Sequence, residues 1–234
     1  MPAGSSIVFL FDVDNTLLDN DRVTADLRRF LEGAVGAQRS QRYWAIFEQL
    51  RKELGYADYL GAIQRYRQEH PEDSHILSMS THFIDYPFAN RLLPGSLDVL
   101  DHVRAWGRPV ILTDGDAVFQ PRKLQRSGLQ EAVESHILIY IHKEEQLDDV
   151  ERRYPADHYV LVDDKVRILA AVKNVWRDRV TTVFVRQGHY ALDARELEKY
   201  PAADVTVERI GDLAGPALDA LLGALPALSG DSSR

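Results

Sequence analysis

Asp12 and Asp14 stand one residue apart, with Thr16 two residues further on, directly after the apolar run Ile7-Val8-Phe9-Leu10-Phe11. Two carboxylates this close repel each other unless a cation sits between them or one keeps its proton. Such a pair suits Mg²⁺ binding combined with nucleophilic or acid–base chemistry. Three more apolar runs end the same way. Val110–Leu112 leads into Thr113-Asp114-Gly115, Ile137–Ile141 into His142-Lys143, and Val160–Val162 into Asp163-Asp164. No one of these endings is decisive, but four of them in order form a joint signal.

Such groups can meet only if the runs are strands that end at one edge of one sheet. From Leu93-Pro94-Gly95 onward, helical and strand-like stretches alternate. Helices are expected over about 96–106, 117–127, 143–153 and 165–176, with strands at 109–113, 136–141, 159–162, 180–185 and, more weakly, 204–207. Alternating βα units imply a doubly wound parallel sheet, an α/β fold whose site lies outside the carboxyl ends of the strands. Residues 20 to 90 read differently. Apolar positions recur at helical spacing, as in Tyr43, Trp44, Phe47, Leu50 and Leu54, and Gly55, Gly61 and His70-Pro71 punctuate them. A bundle of about four helices is expected there, inserted after the first strand. The expected division is therefore a core of residues 1–19 plus 91–234 and a helical cap of residues 20–90. The terminal Ser229–Arg234 is expected to fray.

Composition narrows the class. A chain of 234 residues with 45% hydrophobic and 27% charged residues can bury a sizeable core. A formal net charge of −8 disfavours nucleic acid and anionic membrane as partners, though a metal can invert the field locally for an anionic substrate. The absence of cysteine excludes disulfides and thiolate chemistry, and the run Ile7–Phe11 is far too short to span a bilayer. A soluble, cytoplasmic protein is expected.

With these motifs in place, the chain resembles the haloacid dehalogenase (HAD) superfamily, in particular its Mg²⁺-dependent phosphatases with a helical (C1-type) cap. The family's Asp-x-Asp-x-Thr motif matches Asp12-Val13-Asp14-Asn15-Thr16. Its strand-ending Thr or Ser matches Thr113, its lysine best matches Lys143, and its acidic strand end matches Asp163-Asp164. The resemblance implies a HAD-like Rossmannoid core and an aspartyl-phosphate intermediate on Asp12. Asp14 would be general acid and base, with its backbone carbonyl on Mg²⁺. Thr113 and the Asp114 amide would hold phosphoryl oxygens, and Lys143 would neutralise charge. Asp12, Asp163 and Asp164 would complete the metal site. The implied substrate is a small phosphorylated metabolite.

Competing readings attach to several residues. Lys123 is the rival to Lys143, but its place inside a helix points it to solvent. Thr113 and Asp164 could be helix N-caps, and Asp114 and Asp116 turn or cap residues. His142 reads as a neighbour, and Tyr43, Trp44, Phe47, Tyr59 and Tyr66 as helix packing. Arg22 and Arg42 could meet an anionic substrate, yet exposed arginines are common. Lys165 would weaken a metal site if it points inward. For the whole chain the alternatives are a haloacid dehalogenase, whose members typically lack the second aspartate, a phosphomutase, and a non-catalytic phosphate-binding regulator.

Overall fold

The structure, a computed structural model, describes residues 6–215 together with 218 and 221. The expected fraying of Ser229–Arg234 lies outside the described residues. Six parallel strands form one sheet in the order β3-β2-β1-β4-β5-β6. They are β1 (Ile7–Phe11), β2 (Arg108–Asp114), β3 (Ile137–Tyr140), β4 (His158–Asp163), β5 (Val180–Val185) and β6 (Val205–Val207). The chain winds outward from β1 through β2 to β3, then returns to the other side of β1 for β4. The strand order therefore reverses at β1, the point where open α/β sheets hold their ligands.

β1 is buried on both faces, which explains its unbroken apolar run. Val8 and Leu10 belong to one hydrophobic cluster, with β4 side chains and the helix over Val166–Trp176. Ile7, Phe9 and Phe11 belong to the other. That second cluster is continuous with the helices of residues 20–90. These are α1 (Asn20–Val35), α2 (Ala37–Leu54), α3 (Tyr59–Glu69) and α4 (Ile76–Ile84), four as expected. Local chemistry sets their ends. The Asp19 carboxylate accepts the Arg22 amide to start α1, the Asp58 carboxylate accepts the Gly61 amide to start α3, and a left-handed Gly55 closes α2.

The aromatics of this segment pack rather than point outward: Tyr43, Trp44, Phe47, Tyr59 and Tyr66 are all buried. Tyr59 also stacks at 4.5 Å on Phe119, the first residue of α6 (Phe119–Ser127), so the inserted helices rest on the sheet's own flanking helix. The other expected elements are present with shifted ends. The helix expected over 96–106 is α5 (Ser96–His102) followed by a 3₁₀ turn (Val103–Ala105). The one expected over 143–153 is a 3₁₀ turn (Lys143–Glu145) followed by a helix over Leu147–Arg153. No helix among the described residues is long and apolar enough to cross a membrane.

Candidate active site

Strand register brings the acids together. Phe11 pairs with Ile111 on one side and Val162 on the other. Asp12, one residue on, is therefore level with Leu112 and Asp163, and its amide donates to the Val162 carbonyl at 3.0 Å. Asp12, Asp163 and Asp164 each offer a carboxylate oxygen, all within 4.8 Å of one another, and all three are buried. Lys143 enters from beyond β3. Its Nζ lies 2.5 Å from Asp12 Oδ1, 2.7 Å from Asp163 Oδ2 and 3.2 Å from the Leu112 carbonyl. The other Asp12 oxygen accepts a hydrogen bond from Thr16 Oγ1 at 3.1 Å. Both oxygens are thus fixed, and the carboxylate has one orientation.

The charges at this edge do not balance. Burial pushes the Asp12 carboxyl up, but the ammonium groups of Lys143 and Lys165 override it and hold Asp12 below the usual carboxylate range. Burial pulls Lys143 down, yet Asp12, Asp163 and Asp114 outweigh it and keep the ammonium charged. For Asp163 burial wins, helped by the charge on Asp12, and the carboxyl is pushed up to about 6. Asp164 is also raised well above the usual carboxylate range by burial, with the charges on Asp163 and Asp12 adding to it. Three buried carboxylates thus share two ammonium groups, and the excess negative charge is relieved by keeping a proton or taking a cation. Both oxygens of Asp164 are buried without a hydrogen-bond partner. An orphaned carboxylate beside two others is a hard-oxygen donor set that fits a divalent cation.

Asp14 lies outside this group, at the start of a tight turn. The carbonyl of Val13 accepts from Thr16, Leu17 and Leu18, and Asn15 adopts a left-handed φ of 65°. The Asp14 side chain reaches Lys123 Nζ at 2.5 Å instead of the carboxylate cluster. This overturns the expectation that Lys123 faces solvent: its side chain is 1% exposed. α6 buries Phe119, Lys123 and Ser127, each four residues apart, so Lys123 lies on the inward stripe. That spacing was the available signal, and the charge of lysine hid it.

The remaining expected residues divide. Thr113 is buried and caps nothing; its Oγ1 accepts from Gln120 Nε2 at 3.0 Å. Gln120 is a buried residue of the site that sequence reading missed. The start of α6 is capped instead by Asp116, whose Oδ1 accepts the amides of Val118 and Phe119. Asp114 accepts the Lys143 amide at 2.8 Å through Oδ1 and so fixes the turn that carries Lys143. Asp164 is not a helix cap, since neither oxygen meets an amide. His142 is a neighbour: its ring lies where a Cβ on Gly55 would fall, 2.7 Å from Nε2. Lys165 is half-buried, with its Nζ 5.2 Å over the Tyr190 ring. Arg42 forks onto Glu69 at the surface, and Arg22 is exposed.

Residues 8–175 match the haloacid dehalogenase-like hydrolase family. A crystal structure from Burkholderia xenovorans LB400, assigned to the haloacid dehalogenase-like hydrolases, is 64% identical. The match covers 90% of this chain and 98% of that one, with a TM-score of 0.86. L-2-haloacid dehalogenase from Xanthobacter autotrophicus, with chloropropionic acid covalently bound, is 20% identical over 94% of this chain and 99% of its own, with a TM-score of 0.59. The magnesium-bound HAD-hydrolase YfnB from Bacillus subtilis is 15% identical over 90% of this chain and 97% of its own, again with a TM-score of 0.59. The last two likenesses speak for the fold alone. None of the curated proteins matches the chain.

Proposed function

Because the chain belongs to the haloacid dehalogenase-like hydrolases, we propose that it is a Mg²⁺-dependent phosphatase that hydrolyses a small phosphorylated metabolite through an aspartyl-phosphate on Asp12. The observation that carries this reading is Asp14, a second, partly exposed carboxylate two residues after the nucleophile. Displacing halide from carbon requires no proton on the leaving group, whereas expelling an alkoxide from phosphorus does. An aspartate placed to supply that proton therefore favours phosphate ester over haloacid.

In this reading Asp12, with one oxygen on Lys143 and one on Thr16, attacks phosphorus. The bond from phosphorus to the ester oxygen breaks, and the Asp14 proton passes to that oxygen. Asp14, now ionised, takes a proton from water as the water oxygen attacks the same phosphorus. Inorganic phosphate leaves and Asp12 is regenerated. Lys143 neutralises charge on Asp12 and the phosphoryl group, and Thr113 with the Asp114 amide holds phosphoryl oxygens. Asp12, Asp163, Asp164 and the Asp14 carbonyl would hold Mg²⁺, which supplies electrostatic stabilisation of the phosphoryl charge when bound. Residues 20–90 would act as a cap over the core, closing to exclude water and opening for exchange. The setting in this reading is cytoplasmic.

The test is phosphate release over a panel of phosphorylated metabolites with and without Mg²⁺, with Asp12→Asn alongside. The expected result is release that needs Mg²⁺ and falls on the order of 10³-fold or more in the variant. Chloride release from 2-chloropropionate without added Mg²⁺ would overturn the reading. Conversion of a sugar 1-phosphate to its 6-phosphate would point to a mutase. Phosphate binding without turnover would point to a regulator.

A further inference from the structure

Lys123 and Lys143 are the two buried lysines among the described residues. The chemistry above uses Lys143 and leaves Lys123 without a task. An ammonium withdrawn from water is costly unless it is paired and hydrogen-bonded, so its partners show what holds it there. Lys123 has two oxygen partners. One is Asp14 Oδ1 at 2.5 Å; the other is Asn20 Oδ1 at 3.1 Å, on the first residue of α1. The Phe119 ring lies 5.5 Å from the same nitrogen and walls it from solvent. The Asp14 side chain keeps 26% of its surface exposed, and no other described residue bonds to its carboxylate. One oxygen of Asp14 is therefore tied to α6 and the other is left open.

We infer that Lys123 is a positioning residue for the leaving-group step: it anchors Asp14 through Oδ1 so that Oδ2 can meet the ester oxygen, and Asn20 steadies the anchor from the inserted helices. This inference rests on the phosphatase reading. Holding a proton donor within hydrogen-bond reach of its target is what makes general acid catalysis effective, and that contribution is typically about 10²- to 10⁴-fold. A bond from the same ammonium to the start of α1 ties this alignment to the seating of the inserted segment.

A positioning role differs from a merely structural one in its dependence on the leaving group. Phenyl phosphate and 2,4-dinitrophenyl phosphate are similar in shape, but only the first needs a proton on its departing oxygen. The readout is kcat/KM, which reports steps up to the phosphoryl-enzyme. In the full-length chain with Mg²⁺, Lys123→Met is expected to lose about 10²-fold on phenyl phosphate and less than about threefold on the dinitrophenyl ester. Asn20→Ala, which spares the ion pair, is expected to move in the same direction by less, and it serves alone if Lys123→Met does not fold. Lys123→Arg is expected to recover part of the loss. Equal losses on both esters, or no loss on phenyl phosphate, would overturn the inference. A wild-type chain inactive on both esters but folded would instead sink the phosphatase reading, and this inference with it.

Discussion

Lys143 shows how much one residue can depend on its setting. It is buried between Asp12 and Asp163, and neither carboxylate has another cation as close. Replacing it with methionine keeps the length and leaves buried negative charge unpaired, a change that typically costs about 3–5 kcal/mol. For a chain of this size that corresponds to a fall of about 10 °C in Tm. Because the lost charge is cationic, Mg²⁺ is expected to raise the Tm of Lys143→Met by more than that of the wild type. Thermal unfolding with and without the ion checks both statements. Gly188 is constrained in another way. Its φ is +72°, and a Cβ there would lie 2.5 Å from the Asn15 side chain in the turn between Asp14 and Thr16. This glycine is kept small by a loop more than 170 positions earlier, a constraint with no local sequence mark.

Among the elements, the α3–α4 connection is built on a single carboxylate. Asp73, with no exposed side-chain surface, accepts from the Tyr66 hydroxyl at 2.5 Å, the His75 amide at 2.9 Å and Arg39 at 3.1 Å, and its Oδ1 lies 2.7 Å from His75 Nδ1. Burial raises its pKa, but these partners outweigh it and hold Asp73 well below the usual carboxylate range. A carboxyl depressed on folding contributes stability above its unfolded value, about 3.9, and loses it as the pH falls toward the folded value. Asp73→Asn is therefore expected to be less stable than wild type by about 2 kcal/mol at pH 7, with the gap narrowing below about pH 4. A constant gap across that range in urea melts would refute this. Elsewhere the β-strands were legible from their apolar runs, because a central parallel strand is buried on both faces. α6 was only half legible. Its extent follows from the pattern, but its inward stripe carries Lys123, Gln120 and Ser127 beside Phe119 and Leu124. Hydrophobic periodicity cannot register a polar residue whose partners lie on other elements.

At the scale of the molecule, the two crossings between the sheet and the inserted helices are bonded to each other. Leu93 N donates to Leu17 O at 3.0 Å and Asp19 N to Arg91 O at 2.8 Å, flanking an antiparallel bridge between Leu18 and Leu92. That pattern makes Leu18 and Leu92 a non-hydrogen-bonded pair, the closer kind of cross-strand neighbour. The loop after β5 adds a clasp: the His189 amide donates to Asp21 Oδ2 at 2.9 Å, and Gln187 Nε2 donates to the Thr16 carbonyl at 3.2 Å. If residues 20–90 open as a cap, the hinges are Leu17–Asn20 and Phe88–Pro94. A disulfide between Leu18→Cys and Leu92→Cys, in a chain with no cysteine of its own, would stiffen both at once. Oxidation is expected to lower turnover several-fold, on the order of the gating effects that lids exert, and reduction to restore it. Unchanged turnover in the oxidised protein would show that these segments do not bend during the cycle.

By itself the sequence determined the parallel α/β sheet, the helical insertion after the first strand, and four chemical strand ends in order. Each is written locally, in apolar runs, turn residues and the groups that follow them. Tertiary structure decided the pairings: Lys143 between Asp12 and Asp163, Gln120 on Thr113, Lys123 on Asp14, and Asp164 with no partner at all. The Lys143–Asp12 and Lys123–Asp14 pairs depend on strand order and helix packing, which bring residues more than a hundred positions apart within hydrogen-bond distance. Burial then sets their charge states, and only the folded chain fixes how deeply each is buried.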